Sequence, residues 1–448
     1  MSKKNVRNLA LDVLIDIEKK RAYSNLSLHH VIETNELSAQ DVALLTELVY
    51  GTVQRRDTLD YYLQPFVKGK IEPWVRLLLR LSLYQMVYLD RIPDRAVLFE
   101  AVEIAKRRGH RGIASLVNGV LRSIQRQGLR SFDEIQDDLE RLAIATSHPL
   151  WLVRRWVEQF GLDATKRMCE ANVLPPEQTA RVNTTKATVS DVIAELKKEG
   201  IEAVPSTVVD VGVKMVKGNA AKTKAFQNGL LTIQDESSML VAYALSPNET
   251  DVVLDCCAAP GGKTTHIAER MNNRGRIVAL DIHDHKVKLI EQQAKRLGLS
   301  NIEAKQLDSR QAHTQFAAET FDRILVDAPC SGLGVIRRKP EIKYAKNEKD
   351  IAQLAEIQLD ILRAVAPLLK RGGTLVYSTC TVDREENERV IAKFLAEHPQ
   401  YERDHTLALR LPSSVAPYVH DGMLQLLPHH VFSDGFFIAT LKKKGEMT

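Results

Sequence analysis

The chain has 448 residues, 44% hydrophobic and 27% charged, with 62 Lys+Arg against 57 Asp+Glu for a net charge of +5. At about 100 to 200 residues per domain this length calls for two to four domains, and the near-average apolar and charged fractions exclude a disordered chain or a fibrous rod. Five cysteines without a C-x-x-C exclude a disulfide framework or zinc knuckle, and the best apolar run, Trp74 to Leu89, is broken by Arg76 and Arg80, so it reads as a core helix rather than a membrane span.

At the N-terminus, basic residues are followed by Asp12, Asp16 and Glu18 before any secretory apolar stretch forms, so a cytoplasmic protein is expected. Residues 1 to about 130 read as an all-helical bundle. Val6, Leu9, Ala10, Val13, Leu14 and Ile17 recur at spacings of three and four, and similar runs return to about Ala105, with Pro and Gly between them. Ile104 to Arg130 holds seven basic residues and no acid, with Arg122 and Arg126 on one helix face beside Arg107, Arg108 and Arg111. Such a run is often a solvated face, but the absence of acids over 27 residues favours phosphate contact. Residues 131–145 are acidic and read as a linker. Residues 146–235 read as a small α/β module.

From Asp251 the pattern becomes strand, loop, helix. Strands are expected at Val252–Asp255, Arg276–Asp281, Ile302–Leu307, Arg323–Asp327 and Thr374–Thr379, with helices between them. This alternation predicts a parallel, doubly wound, Rossmann-like α/β sheet. In such sheets ligands bind beyond the carboxyl ends of the strands. Here the loop Cys257, Ala258, Ala259, Pro260, Gly261, Gly262, Lys263 follows the first strand, and Asp281 ends the second, 20 residues after Gly261. The loop is neither G-x-G-x-x-G nor a P-loop, so the dinucleotide and nucleoside-triphosphate readings lack their phosphate cradles. Asp308 and Asp327 close the next two strands, giving three carboxylates at one sheet edge. A lone strand-end Asp is usually a helix cap; three suit a nucleoside cofactor and a substrate base.

Cys330 and Cys380 each follow a strand at that edge, where amides and basic neighbours can activate a thiol. Cys256 and Cys257 read as packing residues, the latter near the cofactor loop, and Cys169 as core.

At these residues the sequence resembles the RNA cytosine-carbon-5 methyltransferases. The carriers are Leu254-Asp-Cys-Cys-Ala-Ala-Pro-Gly-Gly-Lys-Thr-Thr265, Asp327-Ala-Pro-Cys-Ser-Gly332 and Ser378-Thr-Cys380. Further likeness lies in Ile233-Gln-Asp-Glu-Ser-Ser238, Gly334 to Lys343, and Asp434-Gly-Phe-Phe-Ile-Ala439. With a NusB-like N-terminal domain, nearly the whole chain is similar to the bacterial 16S ribosomal RNA methyltransferase subfamily. The resemblance implies S-adenosylmethionine as cofactor, 16S rRNA as partner in free or partly assembled form, no metal and no membrane. It divides the chain into residues 1–130 (NusB-like, RNA-binding), 146–235 (a small RNA-binding module) and 236–448 (the methyltransferase).

It also implies that Cys380 is the nucleophile toward carbon 6 of cytosine, that Cys330 assists product release, and that Asp327 hydrogen-bonds ring nitrogen 3. Cys257 to Lys263, Asp281, Asp308 and Asp327 match cofactor-contacting positions, and Lys263 bridges the cofactor loop to the base. Arg337, Arg338, Lys339 and Lys343 are expected to hold phosphates flanking the base, although Lys339 stands where the family's pattern has His. In a DNA cytosine methyltransferase the roles of Cys330 and Cys380 would exchange, and the Ser-Thr-Cys motif argues against that. A tRNA or another structured RNA is open to the same chemistry as 16S rRNA. A non-catalytic assembly factor built on this fold is disfavoured by the intact cysteines and loop glycines.

Overall fold

The computed structural model describes residues 5–20 and 24–445, so the first four residues of the basic N-terminus lie outside it. The described chain separates into two compact units. One runs to Leu174 and also takes in Ile336–Ala345; the other holds Pro175–Val335 and the residues from Lys346 onward.

The first unit is built of helices from Val6 to Asn172, as its apolar spacing requires. Its core includes Leu11, Leu14, Leu45, Leu48, Leu59, Leu79 and Leu121, all 2% exposed or less. The helix Pro73–Tyr88 buries Arg80, one of the two charges that interrupt its apolar run, against Asp60 at 2.6 Å. The helix Arg111–Gln127 shows how the sequence sorts its faces. Ile113, Ala114, Val117, Val120, Leu121 and Ile124 are buried at spacings of one, three and four, and Arg111, Arg122 and Arg126 stay exposed.

The acidic stretch expected as a linker is corrected by the structure. Residues 138–145 form a helix whose N-terminus is capped by Asp137, which accepts from the Glu140 amide at 2.7 Å. Its acids sit in the first turn, where they complement the helix dipole. The helices Leu150–Phe160 and Leu162–Asn172, assigned from sequence to the small module, pack with the helical unit.

The second unit contains two sheets. Strands β1 (Thr179–Val182), β2 (Glu202–Pro205), β3 (Gly212–Lys217) and β4 (Leu231–Ile233) form an antiparallel sheet in the order β2-β3-β1-β4. The larger sheet holds β5 (Val252–Asp255), β6 (Arg276–Asp281), β7 (Ile302–Gln306), β8 (Phe321–Asp327), β9 (Leu369–Thr379), β10 (Tyr401–Arg403), β11 (Val419–His420), β12 (Met423–Leu426) and β13 (Phe436–Lys443). Its order is β11-β12-β13-β9-β8-β5-β6-β7, with β10 beside β13. β5 to β9 pair in parallel, as expected; β10 to β13 add an antiparallel flank that the alternation gave no sign of.

The sheet is covered on both faces. Val253 and Leu254, successive on β5, enter different cores: one with the helices Glu236–Leu245 and Gly262–Arg270, the other with Glu348–Val365 and Glu388–Glu397. Strand order reverses between β5 and β8, and a crevice opens there at the carboxyl edge.

Candidate active site

Four strand ends meet at this crevice. β5 runs into Asp255, which is fully buried and takes the Thr264 hydroxyl at 2.7 Å; burial raises its carboxyl to about 7. The following loop turns at Gly261, whose φ of +104° suits glycine, and a Cβ there would stand 3.3 Å from the backbone of Ile290. Helix Gly262–Arg270 starts from this turn and carries Lys263 in its first turn.

A buried arginine on β1 holds the loop from behind. The Arg181 guanidinium pairs with both Glu269 oxygens at 2.8 and 2.9 Å and donates to the Gly262 carbonyl at 2.8 Å, to the Thr265 hydroxyl at 3.0 Å, and to the Gln234 side chain. The small antiparallel sheet thus fixes the start of the helix that presents Lys263.

At the end of β8, Asp327 receives the Lys263 ammonium at 2.7 Å on one oxygen and the Ser378 hydroxyl at 2.8 Å on the other. Burial works against the Lys263 charge, but Asp327 outweighs it and leaves the ammonium above its ordinary range. Cys330 and Cys380 meet with their Sγ atoms 3.3 Å apart. Hydrogen bonding with Cys380, then burial, pushes the Cys330 thiol well up, so Cys330 stays protonated and can donate to the Cys380 sulfur.

Two cavities adjoin here. One of about 400 Å³ is lined by Cys257, Ala259, Asp281, Ile282, Asp308, Pro329, Cys330 and Cys380 among others. The second, about 260 Å³, is lined by Gln234, Asp235, Ser238, Pro260, Gly262, Lys263, Asp434 and Phe436, with Phe436 5.3 Å from the Lys263 ammonium. Ala259, Asp327 and Cys380 line both. Ala258 is buried between loop and sheet and also faces the second cavity.

Asp308 differs from its expected setting. β7 ends at Gln306, two residues earlier, and Asp308 caps the short turn Ser309–Thr314 while pairing with Arg310 at 2.6 Å, which holds its carboxyl below the usual range. The Asp281 carboxylate accepts from the His283 amide at 3.0 Å and still faces the larger cavity. Asp235, Asp434 and Phe436 had no role assigned from sequence, although two of the motifs carrying the resemblance contain them.

Comparison with known proteins divides the chain into three, the middle match beginning at residue 148, before the packing boundary at Leu174 and close to the module start expected from sequence. Residues 4–126 match the NusB family, 148–221 the ferredoxin-like domain of RsmF/B-like methyltransferases, and 242–442 the family described as 16S rRNA methyltransferase RsmB/F. The chain is 58% identical to the probable ribosomal RNA small subunit methyltransferase B of Bacillus subtilis, over 99% of this chain and 100% of that one. The chain belongs to the 16S rRNA methyltransferase RsmB/F family. It is accordingly an rRNA methyltransferase. The crystal structure of PH0851 superposes with a TM-score of 0.83 at 28% identity, covering 98% of this chain and 99% of that one. NSun6 from Pyrococcus horikoshii, solved with SFG, superposes with a TM-score of 0.59 at 26% identity, covering 66% of this chain and 98% of that one.

For an RNA-modifying family the basic residues matter, and the structure divides them. Arg107, Arg111, Arg122 and Arg126 are exposed. Arg108 is half-buried, bound to Asp12 at 2.6 Å and to Asn8 at 2.8 Å, so its donors serve the fold. The stretch after Cys330 is corrected more strongly. Arg337 is 7% exposed, Arg338 is half-buried, and Lys343 is fully buried, donating to the Gln54 carbonyl and side chain at 2.9 and 2.8 Å. Residues 336–345 are a structural part of the helical unit, which the basic composition of the stretch concealed. Among the described residues no cluster of three or more His, Cys, Asp or Glu is arranged for a metal, and no helix is long and apolar enough to cross a membrane.

Proposed function

We propose that the chain methylates carbon 5 of a cytosine in 16S rRNA, with S-adenosylmethionine as methyl donor and a covalent adduct between Cys380 and carbon 6 of the base. The observation that carries this reading is the Cys330–Cys380 contact of 3.3 Å beside the Lys263–Asp327 pair, where the two cavities meet.

The larger cavity fits the cofactor by its donor set. Asp281 at the end of β6 suits ribose hydroxyls, and apolar Ile282 and Pro329 suit an adenine ring. The relative solved with SFG, an analogue of S-adenosylmethionine, supports the assignment. Cys257, Ala259, Asp281 and Asp308 line this cavity and would hold the cofactor, which supplies an electrophilic methyl group on its sulfonium, while Ala258, Pro260, Gly262 and Lys263 of the same loop face the smaller cavity. The smaller cavity suits the base, since Asp235, Asp327 and Lys263 offer polar partners to a pyrimidine edge and Phe436 a ring face.

Carbon 5 of cytosine is a poor nucleophile. The Cys380 thiolate adds to carbon 6, forming the S–C bond and pushing an electron pair toward carbon 5 and ring nitrogen 3. Lys263 favours the thiolate, and the proton that leaves the Cys380 thiol passes by way of the Asp327 carboxylate to ring nitrogen 3, neutralising the charge that develops there and leaving Asp327 unchanged. After carbon 5 has been methylated, its proton leaves and the returning electron pair breaks the S–C bond. Cys330 is suited to take that proton. As the S–C bond breaks, the Cys330 thiol gives its own proton to the departing Cys380 sulfur 3.3 Å away and receives the carbon-5 proton in its place, so both thiols are regenerated.

The test uses the two thiols separately. Cys380→Ala should abolish methyl transfer and form no covalent RNA complex, whereas Cys330→Ala should attack and then accumulate the adduct on a denaturing gel. The reverse pattern would exchange the roles. Bisulfite sequencing of rRNA and tRNA from cells with and without the gene identifies the modified nucleotide and its RNA class.

A further inference from the structure

The two thiols sit on irregular loops 50 residues apart in sequence, yet their sulfurs are 3.3 Å from each other. Packing of the strands alone does not define such a distance, because both loops lie beyond the last paired residues. The structure shows what does.

Glu386, six residues after Cys380, is fully buried. One carboxylate oxygen accepts from the Ser331 amide at 2.8 Å and from the Gln358 amide at 3.0 Å; the other accepts from the Ser331 hydroxyl. Gln358 also donates to the Pro329 carbonyl at 2.9 Å. Both residues flanking Cys330 are therefore gripped by this pair. The next residue, Asn387, does the same for the other thiol. It accepts from the Thr379 hydroxyl at 2.6 Å and donates to the Thr381 carbonyl at 3.1 Å, the two residues flanking Cys380. The two grips are joined by the Ser331 and Thr381 hydroxyls, 2.9 Å apart.

The choice of a carboxylate here is informative. A buried charge is costly without compensation, and a glutamine would have nearly the same shape. Three donors converge on Glu386, two amides on one oxygen and the Ser331 hydroxyl on the other. A glutamine that keeps its oxygen on the amides turns its NH₂ to Ser331, whose hydroxyl must then reverse from donating to accepting and give its proton to Thr381 instead, which rearranges the link between the two grips.

We propose that Glu386 is the positioning residue for Cys330 and Asn387 its counterpart for Cys380, so that two adjacent residues separately set the geometry of adduct release and adduct formation. The assignment rests on the two-thiol reading above.

The experiment uses the full-length enzyme, a 16S rRNA transcript and S-adenosylmethionine in single turnover, following both methyl incorporation and the covalent complex on a denaturing gel. Glu386→Gln should form the adduct at the wild-type rate and release product up to about 100-fold more slowly, as a displacement near 1 Å can cause. The adduct then accumulates as in Cys330→Ala, and adding Glu386→Gln to Cys330→Ala changes neither its amount nor its rate of formation. Asn387→Ala should slow adduct formation without accumulation. Ser331→Ala, a smaller change that keeps the amide bond to Glu386, should shift the balance in the same direction as Glu386→Gln and decides the matter if that variant does not fold. Equal slowing of formation and release, or no accumulation in Glu386→Gln and Ser331→Ala, overturns the proposal. Absence of adduct in Cys330→Ala itself overturns the two-thiol reading and the proposal with it, so the two failures are distinguishable.

Discussion

Arg181→Met measures how firmly the small antiparallel sheet holds the cofactor loop. Arg181 is fully buried on β1, and its partner Glu269 is 2% exposed on the helix that begins at Gly262. Removing the guanidinium breaks a two-pronged ion pair and leaves the Gly262 carbonyl without that donor. Loss of one partner of a buried pair costs about 3–5 kcal/mol. For a unit of this size that lowers the melting temperature by about 6–20 °C, at about 2–4 °C per kcal/mol. Burial already raises Glu269 despite the neighbouring arginine, and without that arginine its carboxyl rises further. A carboxyl raised in the folded state takes up a proton at low pH and relieves the penalty, so the deficit of the variant should grow as pH rises and shrink as it falls. Calorimetric melting and urea unfolding at several pH values read the stability, and titration with S-adenosylmethionine reads the loop. Arg181→Met/Glu269→Leu, which replaces both charges by apolar groups, should recover most of the stability. A single variant within about 1 kcal/mol of wild type, or a double variant no better than the single, would refute the reasoning, because either result means the pair is not an uncompensated charge when broken.

Two further outcomes concern the helical unit. Burial lowers Lys343 from the usual 10.5 to about 7, so between those values the unfolded chain is protonated and the folded one is not. Stability should therefore rise with pH across that window, by about 5 kcal/mol at about 1.4 kcal/mol per pH unit, and Lys343→Met should flatten the rise in urea unfolding series; a variant with the wild-type slope contradicts the burial of this amine. Replacing exposed Arg122 and Arg126 by Ala should weaken binding to the rRNA transcript and reduce the slope of log affinity against log salt by about 1.4 to 1.8, at about 0.7 to 0.9 per phosphate contact, with the rate of adduct formation on saturating RNA unchanged. Unchanged affinity would remove this face from the interface.

Much of this chain could be read from its order of residues because the informative signals are local. Apolar spacing of three and four specifies the helices, alternation of strand and helix specifies β5 to β9, and short contiguous motifs place Lys263, Asp327, Cys330 and Cys380 at strand ends. Even the misread linker carried its own signal, Asp137 followed three residues later by Glu140, which is a helix start rather than a solvated tether.

What the order of residues left open depends on contacts between distant segments. Composition makes Arg337 and Lys343 look like phosphate ligands, and only the tertiary structure buries Lys343 against Gln54, 289 residues away. A buried acid such as Glu386 has no local signature, because its partners Ser331 and Gln358 lie 55 and 28 residues off. The sequence alone determined that Lys263, Asp327, Cys330 and Cys380 stand at the carboxyl edge of the sheet, since each lies at or shortly after a strand end. The tertiary structure decided which of them touch, because a thiol pair at 3.3 Å and two cavities sharing Asp327 and Cys380 arise only when segments remote in the chain fix one another's loops.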